Sequence, residues 1–296
     1  MTTTTTLPAA GRLLGAALAG LLMVASPIPA AAQGSAASAP GDDAPFQSSR
    51  AAETLPMPEE IFERYIEAMG GWDKINALQN RRITGTFEGD PFEFKASVKI
   101  WWEADGRYHL NIREPAGLFY DLYAVDGMTW SVVMGGEPNP IGDVQRLEIL
   151  DTADFLGEAN YRNRYKEIET QREAKAGDTP VYVVKATTRG GRPHTLFFDK
   201  NTGLLIGDRV PDQGPDGKMR LMTVRIENYR EFGGVLYPTR FVQTFSDNAR
   251  PNTMNFNEIE VNADDEHDYT VPDSVRERFD SAKKAEQEAA GAQGDG

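Results

Sequence analysis

Phe92-Glu93-Phe94-Lys95-Ala96-Ser97-Val98-Lys99-Ile100-Trp101-Trp102 alternates apolar and polar side chains almost without a break. A period of two marks a strand with one dry face and one wet face, so the even-numbered side chains point toward a core. Asp105-Gly106 comes next, a dipeptide suited to the positive φ angles of a tight hairpin. Tyr108, Leu110 and Ile112 then resume the alternation on the returning strand.

The same grammar extends downstream. Turn signals recur at Asp126-Gly127, Gly190-Gly191, Asn201-Thr202-Gly203 and Gly233-Gly234, each between apolar or alternating runs. Those runs are Phe119 to Val125, Thr129 to Met134, Val181 to Thr187, His194 to Phe198, Leu204 to Val210, Met219 to Tyr229, Val235 to Phe245 and Met254 to Val261. With Arg82 to Phe87 they predict a meander of about ten or eleven strands, a number that suits a closed or strongly curved sheet better than a flat one.

Upstream the period changes to that of a helix. Pro58 opens a segment in which Ile61, Phe62, Tyr65, Ile66 and Met69 recur at helical spacing, with Glu59 and Glu60 in the first turn and Gly70-Gly71 as the stop. A shorter helix from Trp72 or Asp73 to Leu78 follows, and the two make an apolar peg. Midway, Asp143 to Tyr161 carries Val144, Leu147, Leu150, Phe155 and Leu156 among polar residues, which predicts a helical insertion. Such an insertion either caps an open barrel end or carries the chain between strands. The expected class is therefore mainly β (α+β): a curved antiparallel sheet or incomplete barrel around N-terminal helices.

The ends read differently. Arg12, the apolar stretch Leu13 to Ala25 and the small-residue exit Pro27 to Ala32 form an export signal, with cleavage near Ala32. Residues 33–56 are Ala, Ser, Gly, Pro and Asp with few large apolar groups, a disordered linker; residues 282–296 are the same kind of tail. The folded domain is thus expected over 57–281. Removing the first 32 of 296 residues leaves 264 and takes away Arg12, which moves the formal charge from −14 to −15. An acidic chain repels phosphate backbones and anionic lipid surfaces, so nucleic acid is excluded as a partner, and no stable membrane anchor is expected in the mature chain. The absence of cysteine excludes thiolate nucleophiles, Cys-type zinc sites and a lipid-modified N-terminus.

Chemistry is sparse. His109, His194 and His267 sit in separate segments without metal-ligand spacing, and they read as strand-end or surface histidines. Asp264, Asp265, Glu266 and Asp268 form an acidic run that lacks the loop pattern of a calcium site and reads as a solvated loop. Gly-x-Ser-x-Gly and phosphate-cradling Gly-Lys-Ser/Thr patterns are missing. No catalytic residue, metal ligand or cofactor is expected, and an enzyme reading is left only a site dispersed over distant segments.

Tyr65-Ile66-Glu67-Ala68-Met69-Gly70-Gly71-Trp72-Asp73-Lys74-Ile75-Asn76-Ala77-Leu78, followed by Arg82-Ile83-Thr84-Gly85-Thr86-Phe87, resembles the opening of outer-membrane lipoprotein-sorting proteins, the LolA/LolB-like superfamily. Phe198 to Leu205 and Tyr229 to Pro238 resemble hairpins of the same group, so the resemblance spans about residues 58 to 275. It implies a half-barrel around helices with an apolar cavity, a periplasmic location, and an apolar or acylated ligand, or a lipoprotein, as partner. An envelope protein partner of a filled, adaptor-like domain is the alternative. No functional residue of the family is matched position by position. Phe94, Val98, Ile100, Trp102, Tyr123 and Trp130 are the candidate lining residues, although the same side chains would equally serve a packed core.

Overall fold

A computed structural model describes residues 46–48, 55–90, 95–117, 119–214 and 217–293. The expected export signal and Phe94 lie outside these residues. Helix α1 (Pro58–Met69) forms as its spacing predicts: Pro58 occupies the first turn, Glu60 accepts from the Met57 backbone N–H at 3.1 Å, and Ile61, Phe62, Tyr65, Ile66 and Met69 are all buried. After Gly70-Gly71, α2 (Trp72–Asn76) adds Ile75 to the same core.

A single antiparallel sheet of 14 strands wraps this peg as an unclosed, curved half-barrel. In chain order the strands are β1 (Phe46–Ser48), β2 (Asn80–Glu88), β3 (Ala96–Glu103), β4 (Tyr108–Arg113), β5 (Phe119–Val125), β6 (Met128–Val133), β7 (Asn139–Pro140), β8 (Tyr165–Ala176), β9 (Thr179–Thr188), β10 (Pro193–Asp199), β11 (Leu205–Gln213), β12 (Met219–Phe232), β13 (Val235–Phe245) and β14 (Asn248–Val261). Their spatial order is β1-β8-β9-β10-β11-β12-β13-β14-β2-β3-β4-β5-β6-β7, so nearly every neighbour is a hairpin partner. The exceptions are β14 on β2 and β1 on β8. Asp126-Gly127 joins β5 to β6 with both φ angles positive, the conformation that such a dipeptide favours.

The count exceeds the expected ten or eleven because of three strands. β1 and β7 are only three and two residues long. The third, β8, carries Lys166, Glu167, Glu169, Arg172, Glu173 and Lys175 and buries few positions, so it shows no dry face from which a strand could be read. Two further boundaries differ: β1 falls inside the expected linker, and helix α5 (Asp273–Gln293) continues past residue 281.

The insertion consists of α3 (Asp143–Ala153), a 3₁₀ turn (Gly157–Asn160) and α4 (Tyr161–Arg164). Of the two expected roles, the topology shows the crossover. The insertion carries the chain from β7, at one edge of the sheet, to β8 near the other, and it buries Ile149, Ala153, Phe155, Ala159 and Tyr161 in the main core. Helix α3 has no basic residue in its last turn, and the carbonyls around its C-terminal end are capped from outside. Arg164 donates to the Asp151 carbonyl at 2.5 Å, Trp102 Nε1 to that of Ala153 at 2.8 Å, and Arg81 to that of Phe155.

Gly85 shows how closely β14 is drawn against β2. It lies opposite Phe256, where β14 carries a bulge, and a Cβ at this position would stand 2.1 Å from the Asn255 carbonyl oxygen. Since backbone is the obstacle, Gly85→Ala should destabilise the fold by about 1–3 kcal/mol, the usual cost of overpacking. Chemical denaturation would show this as a lower midpoint with an unchanged slope; an unchanged midpoint would mean that β14 yields freely.

Candidate functional site

Between the inner face of the sheet, α1 and the insertion lies a cavity of about 220 Å³. Its walls are apolar: Met69 comes from α1, Ile83 from β2, Ile100 and Trp102 from β3, and Ile226 and Phe241 from the long strands β12 and β13. The peg fills one part of the inner face, where Phe62 meets Phe198 and Tyr161, and leaves another part open.

A few polar groups interrupt this lining. Arg81 shares the inward parity of Ile83, Gly85 and Phe87 on β2 and is 6% exposed. Its guanidinium carbon lies 4.3 Å from the Trp102 ring centroid, 3.9 Å from Phe155 and 4.8 Å from Tyr237. Burial pulls its pKa below the ordinary arginine value, against opposing pulls from Tyr237, Tyr65 and Asp154. Arg164 is equally buried, but there the nearby carboxylates, Glu158 foremost at 3.6 Å, outweigh desolvation and raise its pKa. Asp208 lines the cavity and contacts His194 Nδ1 at 2.9 Å through Oδ2. Burial raises the hydroxyl pKa values of Tyr65 and Tyr108 well above the tyrosine norm, so both remain protonated.

The six candidate lining residues divide three ways. Ile100 and Trp102 line the cavity; Val98 is buried in the same core but does not border the open space. Phe94 lies outside the described residues. Tyr123 and Trp130 are on the opposite, outer face of the sheet, so they are not lining residues. Arg81 is the principal residue missed by sequence reasoning, which began its strand at Arg82; the signal available was its parity with Ile83 and Phe87.

On that outer face, Trp101, His109, Tyr123 and Trp130 are register partners across four adjacent strands and stack as a ladder. Ring centroids are 4.9 Å apart for Trp101–His109, 3.9 Å for His109–Tyr123 and 4.7 Å for Tyr123–Trp130. The chain after β14 returns over the ladder, burying Tyr269, Val271 and Val275 and stacking His267 on Trp101 at 4.2 Å. Far from being isolated, His109 uses both ring nitrogens: Nε2 contacts Asp121 at 2.9 Å and Nδ1 contacts His267 Nε2 at 2.8 Å. The acidic run is exposed, as expected of a solvated loop, with Asp265 accepting from Arg82 at 2.8 Å and Asp268 accepting from the Thr270 N–H at 2.9 Å. Among the described residues, no group of three or more His, Asp or Glu side chains is placed to hold a metal ion.

Burial, and then the neighbouring His109, push the His267 pKa down from 6.5 to about 4. Between those values a released C-terminal arm binds more protons than a docked one, so docking is fully favoured above about pH 6.5 and weakens as the pH falls toward 4. Trp101 fluorescence should report this loosening over that window, and His267→Gln, which takes no proton, should flatten the response. An unchanged profile in the variant would remove His267 as its origin.

No protein-family model and no curated protein matches the sequence. Solved structures do match in fold. A DUF1329 family protein from Desulfovibrio piger superposes with a TM-score of 0.51 at 12% identity, over 74% of this chain and 98% of that one. A domain named for outer membrane lipoprotein sorting, from Vibrio parahaemolyticus, gives a TM-score of 0.50 at 12% identity, over 70% of this chain and 93% of its own. A LolA superfamily protein from Nitrosomonas europaea gives 0.49 at 15% identity, over 75% and 97%. The half-barrel implied by the sequence resemblance is the fold of this chain, as its sheet topology and the first two of these structures show. Among the described residues, no helix is long and apolar enough to cross a membrane.

Proposed function

We propose that the chain is a non-enzymatic binding module that shelters an apolar or acylated ligand between its half-barrel and its helices. The observation that carries this reading is the cavity itself: a domain whose only task was adhesion through its surface would have no reason to leave about 220 Å³ of apolar space unfilled. That volume lies below the roughly 300–1,000 Å³ of drug-sized sites, so it suits one alkyl chain or one arm of a larger lipid. Burial at about 25 cal/mol per Å² of apolar area supplies the affinity.

The export signal read at residues 1–32 and the fold shared with a lipoprotein-sorting domain both favour a periplasmic carrier. Catalysis has less support. His109 is engaged by Asp121 and His267, His194 contacts Asp208, and among the described residues no serine or threonine hydroxyl is a hydrogen-bond partner of these rings. Delipidated protein should take up a fluorescent fatty-acyl probe saturably, at one site per chain. Failure to do so with the fold intact would count against the carrier and for an adaptor.

A further inference from the structure

We propose that the ligand is a single-chain amphiphile with a carboxylate head, and that Arg81 receives that head. The inference rests on the binding-module reading above and adds the chemistry of the ligand's polar end.

Three observations converge on Arg81. First, it is a cation buried against an apolar cavity, and no carboxylate among the described residues lies within ion-pair distance of it. The nearby acids have other partners: Glu158 faces Arg164, Asp208 faces His194, and Asp154, whose charge acts on Arg81, accepts from the Leu156 N–H and from Asn160. Second, rings of Trp102, Phe155 and Tyr237 gather around the guanidinium, which leaves its in-plane N–H groups as the route to a hydrogen-bond partner. One of these donates to the Phe155 carbonyl, but Nε is buried with no acceptor. Third, the cavity's unsatisfied groups are mostly donors. Among the described residues, Arg81 Nε and Arg164 Nε are donors without partners, the Tyr108 hydroxyl can donate or accept, and Asp208 Oδ1 is the one unpartnered group that can only accept.

A buried donor without an acceptor is costly, and a buried guanidinium more so, unless something supplies the missing oxygen atoms. A carboxylate at the end of an alkyl chain does this while its tail fills the apolar remainder, and its two oxygens match the planar guanidinium. A trimethylammonium head would meet Arg81 with like charge, and an alcohol would offer only one weak acceptor.

The test uses the delipidated full chain with dodecanoate, its methyl ester, dodecanol and dodecyltrimethylammonium as probes, each measured by calorimetry at neutral pH. Dodecanoate should bind about tenfold to a hundredfold more tightly than the ester or the alcohol, and the ammonium most weakly, as expected for hydrogen bonds to a charged group. Arg81→Gln should erase the preference, so that carboxylate and alcohol bind the variant with equal affinity. In the wild-type protein the Arg81 Nε–H resonance should move on adding dodecanoate and stay in place with dodecanol, a readout that holds even if the variant folds poorly. Equal binding of carboxylate and alcohol, or an unmoved Nε–H, would overturn this inference and leave the carrier reading intact. Uptake of none of the four probes by folded protein would overturn both.

Discussion

Phe62→Ala should be the most damaging single substitution in this protein, with a loss of about 3–5 kcal/mol, the range for removing a buried phenylalanine ring. Phe62 has no exposed surface, and it joins three parts of the chain. It belongs to the peg, stacks on Tyr161 of the insertion at 4.5 Å and an 11° interplanar angle, and meets Phe198 of β10 edge-on at 5.1 Å. The peg, the crossover and the sheet all lose contact at one position. Whole domains are stable by only ~5–15 kcal/mol, so the loss should appear as a fall in melting temperature on the order of 10 °C. A cost below about 1 kcal/mol, within the range of ordinary surface changes, would show that the sheet holds its curvature without the peg.

Ile226→Trp should have the opposite signature: ligand binding falls while stability holds or rises. Ile226 is half-buried and borders the open part of the cavity, next to its register partner Phe241. An indole there would occupy space that the native core leaves empty, and its added contacts offset the usual cost of a larger side chain. Each methylene excluded from the cavity forfeits ~0.8 kcal/mol, so displacing two of them weakens an acyl probe by more than tenfold. The measurement is probe affinity beside melting temperature on the same delipidated preparation. Unchanged affinity would place the ligand elsewhere on the protein. A parallel loss of affinity and stability would mean that the cavity is smaller in solution than the half-barrel indicates.

Both predictions draw on features with very different visibility in the sequence. All five α1 residues assigned inward by helical spacing are buried, because a 3.6-residue period beside a single sheet admits only one dry side. The strand Ala96–Glu103 likewise keeps Ala96, Val98 and Ile100 inside and Ser97 and Lys99 outside. The alternation disappears where both faces of a strand are covered. In β4, β5 and β6 nearly every position is buried, since the peg and insertion lie on one side and the C-terminal arm on the other. Tyr123 and Trp130 were therefore expected inside on their apolar character, although register places them outside with His109. Arg81 escaped for the converse reason: an arginine at an inward position contradicts the pattern by which inward positions are recognised.

Strand periodicity, turn chemistry and the amphipathic peg are properties of neighbours along the chain, and backbone sterics with the hydrophobic effect act on them locally; the sequence alone therefore determined a curved meander around helices. Contacts between segments far apart obey no such local rule. The union of His109 with His267 across 158 positions, the unpartnered Nε–H of Arg81 and the volume left beside the peg exist only once the sheet has curved around its helices. Tertiary structure decided these, because what covers a side chain, or fails to cover it, depends on which distant segment folds back over it.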